Sequence, residues 1–188
     1  MRLAIFGGTF DPIHEAHLAI ARIAAGRFAL ARILFVPASR PPHKHGATRA
    51  PFEDRLRMIE LAVSGDPRFE ASRLEEGGGH SYSIYTIEKV RAGMAPSDEL
   101  YFLIGADAFA EIETWHRWRD VAREVRFIVA SRPGAEYAVP AGVVCERIDT
   151  AALPISSSEI RRALAAGERP AGLPEAVLAY AIEHRLYR

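Results

Sequence analysis

The chain has 188 residues, enough for one full core and too few for two, so a single domain over residues 1–188 is expected. Its 24 basic and 24 acidic residues cancel, which argues against the broad positive field of a nucleic-acid binder while leaving a small anionic ligand compatible. A single cysteine rules out an internal disulfide framework, and no apolar run reaches the ~18 residues of a membrane span or forms a signal segment, so a cytoplasmic protein without nucleic-acid or membrane partners is expected.

The predicted elements alternate. Leu3 to Phe6 reads as a strand, Glu15 to Leu30 as a helix with a wide apolar stripe, and Ile33 to Val36 as a short buried strand ended by Pro37. Ala38 to Ala50, with adjacent prolines and no periodicity, is a long connection of the kind that usually carries function or is disordered. A helix over Pro51 to Val63 follows, with a weak strand at Phe69 to Ala71, a loop at Gly77 to Gly79 and a helix over Ser83 to Arg91. Leu100 to Ile104 and Phe127 to Ala130 are strong strands, and Val143-Val144 with Ile148 suggests a last one. Two helices close the chain, Ser157 to Ala166 and Pro174 to His184. Alternating βα units imply an α/β fold: a Rossmann-like doubly wound, mainly parallel sheet with helices on both faces, the terminal helices from about residue 156 included. Cys145 in its Val-Val-Cys setting is read as a buried strand thiol, not a nucleophile.

Ligands of such sheets sit beyond the carboxyl ends of the strands, and four motifs fall there: Gly7-Gly8, Pro41 to Lys44, Gly105-Ala106-Asp107 and Ser131-Arg132. The glycine pair lets main-chain N–H groups approach a ligand, and the following helix N-terminus offers unpaired donors to phosphate. His14 and His17, spaced i,i+3, share one face beside those donors, which suggests chemistry on the phosphate. Neither a P-loop nor a G-x-G-x-x-G spacing is present. His14, His17, His43 and His45 lack the carboxylate spacing and second cysteine of a zinc site, so no protein-held metal is expected. Ile155-Ser156-Ser157-Ser158-Glu159-Ile160-Arg161 is either an ordinary capped helix start with solvated arginines or a second anion clamp.

The G-G-T-F-D-P-x-H-x-x-H stretch at 7 to 17, together with I-S-S-S-x-I-R at 155 to 161, resembles the signature pair of the HxGH nucleotidyltransferase superfamily. Pro-Pro-His-Lys at 41 to 44, Ser-Tyr-Ser at 81 to 83, Ile-Gly-Ala-Asp at 104 to 107, Thr-Trp-His at 114 to 116 and the final Leu-Tyr-Arg extend the resemblance along the whole chain to the bacterial nicotinate-nucleotide adenylyltransferase family. The resemblance implies transfer of AMP from ATP, with Mg²⁺, to nicotinate mononucleotide, yielding deamido-NAD and pyrophosphate. It implies that His14, His17 and Arg161 are catalytic and that Gly7, Gly8, Thr9, Phe10, Asp107, Ile155, Ser156 and Ser157 join them in binding ATP, Mg²⁺ being carried by the nucleotide. Lys44, Ser83, Ile84, Tyr85, Trp115 and His116 are then expected to bind the mononucleotide, Trp115 by stacking on its ring or else as a core tryptophan shared with Trp118. The sequence departs from the family pattern at Ala16, commonly glycine, at Ser158, commonly threonine, and at Ser83 with Tyr85, commonly threonine and aspartate. A related adenylyltransferase acting on nicotinamide mononucleotide or phosphopantetheine, or a non-catalytic nucleotide sensor, remains the alternative, and a homo-oligomer is compatible with either.

Overall fold

The computed structural model describes residues 1–39, 48–77, 81–132, 134–150 and 155–188. Lys44, His43, His45 and Pro41, named above, lie outside them. The chain runs β1 (Arg2–Gly8), α1 (Glu15–Arg27), β2 (Arg32–Pro37), α2 (Phe52–Val63), β3 (Phe69–Ala71), α3 (Ser83–Arg91) and β4 (Glu99–Gly105). It continues through α4 (Ala106–Ala110), a 3-10 turn (Ile112–Thr114), α5 (Trp118–Glu124), β5 (Arg126–Ser131), β6 (Cys145–Asp149), α6 (Ser157–Ala165) and α7 (Glu175–Glu183).

The strands form one sheet in the order β3-β2-β1-β4-β5-β6, every pair parallel. Winding therefore reverses between β1 and β4, and the crevice at that reversal opens at the carboxyl ends of these two strands. Strand alternation builds two cores. Ala4, Phe6, Phe35, Leu103 and Ile128 face Leu18 of α1, Ile59 of α2, Ile160 of α6 and Val177 of α7. Ile5, Val36, Phe102 and Phe127 face Ile87 of α3, Phe109 of α4 and Val121 of α5. Helices thus cover both faces, as the βα alternation predicts. Among the described residues no helix is long and apolar enough to cross a membrane.

Differences fall where the pattern is short. No element was expected between Gly105 and Phe127, yet α4, the 3-10 turn and α5 lie there. Each spans two turns or fewer, too few for an apolar stripe to repeat, and α5 begins after Arg117 in the left-handed region (φ 54) with no capping side chain. The last strand starts at Cys145, so Val143 and Val144 precede it and Val144 is exposed. Because β6 is an edge strand, Cys145 is half-buried, not fully buried as expected; its burial still pushes the thiol pKa up, as suits an inert side chain.

Candidate active site

The turn after β1 is shaped from inside. Phe10 adopts a left-handed backbone (φ 46), unusual for an aromatic residue, and its buried ring folds back over Gly8. A Cβ on Gly8 would lie 2.9 Å from that ring, whereas one on Gly7 would make ordinary 3.4 Å contact with Phe102. Gly8 is therefore needed for internal packing, a constraint that the ligand-approach argument does not contain. The Phe10 ring in turn stands edge-on to His17, with centroids 5.1 Å apart. It closes a cluster with Phe6 and Phe35 that sets the imidazole's position.

His14 is the N-cap of α1, and its main-chain N–H donates to Nδ1 of His17 at 3.2 Å. A neutral His17 that accepts at Nδ1 carries its proton on Nε2, so the ring is fixed as an Nε2–H donor. The two imidazoles stack with centroids 3.8 Å apart. His14 is 6% exposed, its Nδ1 has no hydrogen-bond partner among the described residues, and burial pushes its pKa down from 6.5 to about 4. Between those values the unfolded chain binds a proton that the folded chain refuses. Stability present above pH 6.5 is accordingly lost as pH falls through about 4, by about 3 kcal/mol in all. In urea titrations at pH 7 and pH 5, His14→Gln should lose less stability on acidification than the wild type; equal losses would show that His14 does not titrate this way.

The second motif docks onto the first. Ser156 caps α6 by accepting from the Glu159 main-chain N–H at 3.2 Å while its hydroxyl donates to the Glu159 carboxylate at 2.8 Å, the ordinary capping arrangement weighed in the sequence. The Ser157 hydroxyl donates to the carbonyl of Pro12 at 3.1 Å, across 145 positions of sequence. The Arg161 guanidinium donates through Nη1 to the carbonyl of Asp11 at 2.7 Å and through Nη2 to Ser158 Oγ at 3.3 Å. Ile155 packs over Gly172, where any Cβ would lie 2.3 Å from it, and the Gly172 carbonyl accepts from the Glu15 N–H at the start of α1. The two sequence signatures thus form one structural unit.

Two clefts flank this unit on opposite faces of the sheet. A cleft of about 540 Å³ on the α1 side is lined by Ala16, Ile20, Gly105, Asp107, Ser131 and Thr150. A smaller one of about 160 Å³, on the α3 side, is lined by Gly7, Gly8, Ala38, Ser83, Gly105 and Trp115. Gly105 belongs to both. Trp115 is half-buried, edge-on to Phe102 at 5.8 Å, and is not shared with Trp118, which lies against Arg119. Ile84 is buried in the core, so only its main chain can serve a ligand. Tyr85 is exposed, and its main-chain N–H is already bonded to the Tyr82 carbonyl. The N–H groups of Ser83 and Ile84 have no main-chain acceptor among the described residues. His116 leans on Tyr82, with centroids 4.5 Å apart, and its Nε2 lies 3.3 Å from the Tyr85 hydroxyl.

Residues 5–163 match the model of the cytidylyltransferase-like family. A protein of Solibacter usitatus (strain Ellin6076), named a probable nicotinate-nucleotide adenylyltransferase, is 69% identical over 187 residues that cover 100% of both chains. The chain belongs to the nicotinate-nucleotide adenylyltransferase family of cytidylyltransferase-like proteins. A Thermus thermophilus protein of the same name is 42% identical over 191 residues, again covering 100% of both chains. The fold is also that of Plasmodium falciparum nicotinic acid mononucleotide adenylyltransferase complexed with NaAD, with TM-score 0.80 and 20% identity over 99% of this chain and 97% of that one.

In this adenylyltransferase fold, one departure from the family pattern, Ala16, lines the larger cleft, while Ser83 lines the smaller. Sequence reasoning passed over Glu75, which also lines the smaller cleft; one of its oxygens accepts from the Thr86 hydroxyl at 2.7 Å and the other is buried without a partner among the described residues. It also passed over Arg55, 1% exposed. A signal for Arg55 existed, since it falls on the apolar stripe of α2 with Met58, Ile59 and Val63.

Proposed function

We propose that this chain transfers the adenylyl group of ATP to nicotinate mononucleotide, releasing pyrophosphate and forming deamido-NAD, a step of NAD biosynthesis. The observation that carries this reading is the pair of clefts on opposite faces of the sheet, which share Gly105 and are lined by Gly7 and Gly8 of the first motif on one side and by Ala16 on the other. One cleft suits adenosine, with Asp107 as acceptor for ribose hydroxyls. The other suits the pyridine ring against Trp115. The phosphates then cross the edge over Gly8, Thr9 and Phe10. The mononucleotide phosphate oxygen attacks the α-phosphorus of ATP, a new O–P bond forms, and the bond from that phosphorus to the bridging oxygen breaks to release pyrophosphate.

The attacking oxygen is already anionic, so no protein base is needed and catalysis rests on positioning and charge stabilisation. His14 and His17 hold the triphosphate, with His17 Nε2–H at the reacting phosphorus. Arg161 and the main chain of Ser156 and Ser157 at the start of α6, their hydroxyls being committed to Glu159 and Pro12, hold the pyrophosphate end, and Lys44, outside the described residues, meets the mononucleotide phosphate. Mg²⁺ enters with ATP as part of that substrate. The donors here are imidazole, guanidinium and main-chain N–H groups, which suit phosphate oxygens, and the nearby Asp11 carboxylate is committed to Arg49, Ala50 and Tyr187. Among the described residues no three His, Cys, Asp or Glu side chains cluster to hold a metal ion.

Pyrophosphate release from ATP with each mononucleotide tests the reading. The nicotinate form should win by about tenfold to a hundredfold in kcat/KM, because its carboxylate can accept from the Ser83 and Ile84 N–H groups where a carboxamide presents a donor to a donor. Trp115→Ala should raise KM for both mononucleotides and leave that ratio standing, since stacking does not distinguish the rings. Equal use of both forms by the wild type would defeat the carboxylate argument, and a collapsed ratio in the variant would make Trp115 the selector.

A further inference from the structure

Asp11 is 5% exposed and joins four segments. Its carboxylate accepts from the main-chain N–H groups of Arg49 at 2.7 Å and Ala50 at 3.1 Å and from the hydroxyl of Tyr187 at 2.8 Å, while its carbonyl accepts from Arg161. Beside it, the Arg55 guanidinium donates to the carbonyls of Thr9 at 2.8 Å, Ala38 at 2.8 Å and Ala50 at 3.1 Å. Neither Arg55 nor Tyr187 lines either cleft. Both instead bond the turn after β1, Arg55 through the Thr9 carbonyl and Tyr187 through the Asp11 carboxylate.

Tyr187 itself sits in the left-handed region (φ 69), as does Arg185 (φ 53) two residues before it. Such backbone is unfavourable for a tyrosine and persists where surrounding contacts over-determine it; here the hydroxyl bond to Asp11 and the packing of the ring against the α1-side core do so. Burial and the Asp11 charge also raise the Tyr187 pKa, so the hydroxyl remains a donor at every physiological pH.

We propose that Tyr187 and Arg55 are positioning residues of the adenylyl transfer. Through Asp11 and the Thr9 carbonyl they hold the Thr9–His14 turn and the Arg161 guanidinium in the register that aims both at the triphosphate. This rests on the adenylyltransferase reading above. A displacement well below the length of a bond contact is enough to matter, because donors stabilise developing charge only in the right place. Ground-state binding, spread over many contacts, should be less sensitive.

The deciding variant is Tyr187→Phe, which deletes one hydroxyl and keeps the ring. Its kcat should fall about tenfold while KM for ATP and for the mononucleotide stays within about twofold. In an Arg161→Ala background the same change should cost about threefold, less than in the wild type, because only the turn is then left to aim. Arg55→Lys, which cannot bridge two carbonyls from one planar fork, should show the same split of kcat from KM; should it fail to fold, the tyrosine variant decides alone. A purely structural role would lower the urea midpoint yet leave kcat per active site untouched. That result would overturn the proposal, as would a raised KM at constant kcat or an undiminished loss in the Arg161→Ala background. Failure of the underlying reading is separate and visible first, as a wild-type enzyme that releases no pyrophosphate.

Discussion

His17→Ala should reduce kcat by about a hundredfold to a thousandfold, or about 3 to 4 kcal/mol, the range found when one preorganised donor to a developing oxyanion is removed. The structure gives a reason why the whole loss should fall on turnover. Nδ1 of His17 is held by the His14 N–H and its ring by Phe10, so Nε2 is oriented before substrate arrives. A donor fixed in this way costs no reorganisation when charge builds on the α-phosphoryl oxygens. The triphosphate keeps its other contacts, and KM for ATP should change by less than about fivefold. Steady-state pyrophosphate release at saturating substrates measures this, and a variant that keeps more than about a tenth of wild-type kcat would remove His17 from the chemistry.

Arg161→Ala is expected to act on binding and turnover together, lowering kcat/KM for ATP by about a hundredfold or more. Five N–H donors belong to a guanidinium, and two are committed to the Asp11 carbonyl and Ser158. The remaining ones suit the departing pyrophosphate, whose charge rises as the bond breaks. Alanine removes this charge and also leaves the Asp11 carbonyl without its side-chain donor. Arg161→Lys should recover only part of the activity, because a point charge cannot serve protein and phosphate in one plane. Calorimetry with ATP checks the binding component; unchanged affinity in Arg161→Ala would place the guanidinium outside the site.

Much of this arrangement was legible because the signals are local. The apolar runs at Leu3, Ile33, Leu100 and Phe127 each exceed what a solvated strand would carry, so β1, β2, β4 and β5 and their burial followed. The histidine spacing needed only the pitch of a helix. The parts that were not legible depend on tertiary contact. Nothing adjacent to Gly8 says that a phenylalanine two residues on will fold back across it, and nothing near Tyr187 says that its hydroxyl will meet Asp11. Ser156 illustrates the middle ground: both readings of its motif were available, and its hydroxyl caps α6, while Ser157 and Arg161 turn toward the first motif. The run from α4 to α5 was illegible for want of length, since one or two turns carry no period.

The sharing of Gly105 by clefts on the two faces of the sheet has a consequence for the end of the cycle. On the reading proposed above, each substrate takes its own cleft and can dissociate by itself, whereas the dinucleotide would be tethered in both at once. When one half lets go, the other keeps it at a local concentration far above that in solution, and rebinding competes with escape. Such an enzyme holds its larger product more firmly than it holds either precursor. The dinucleotide should therefore leave more slowly than a mononucleotide or ATP bound alone.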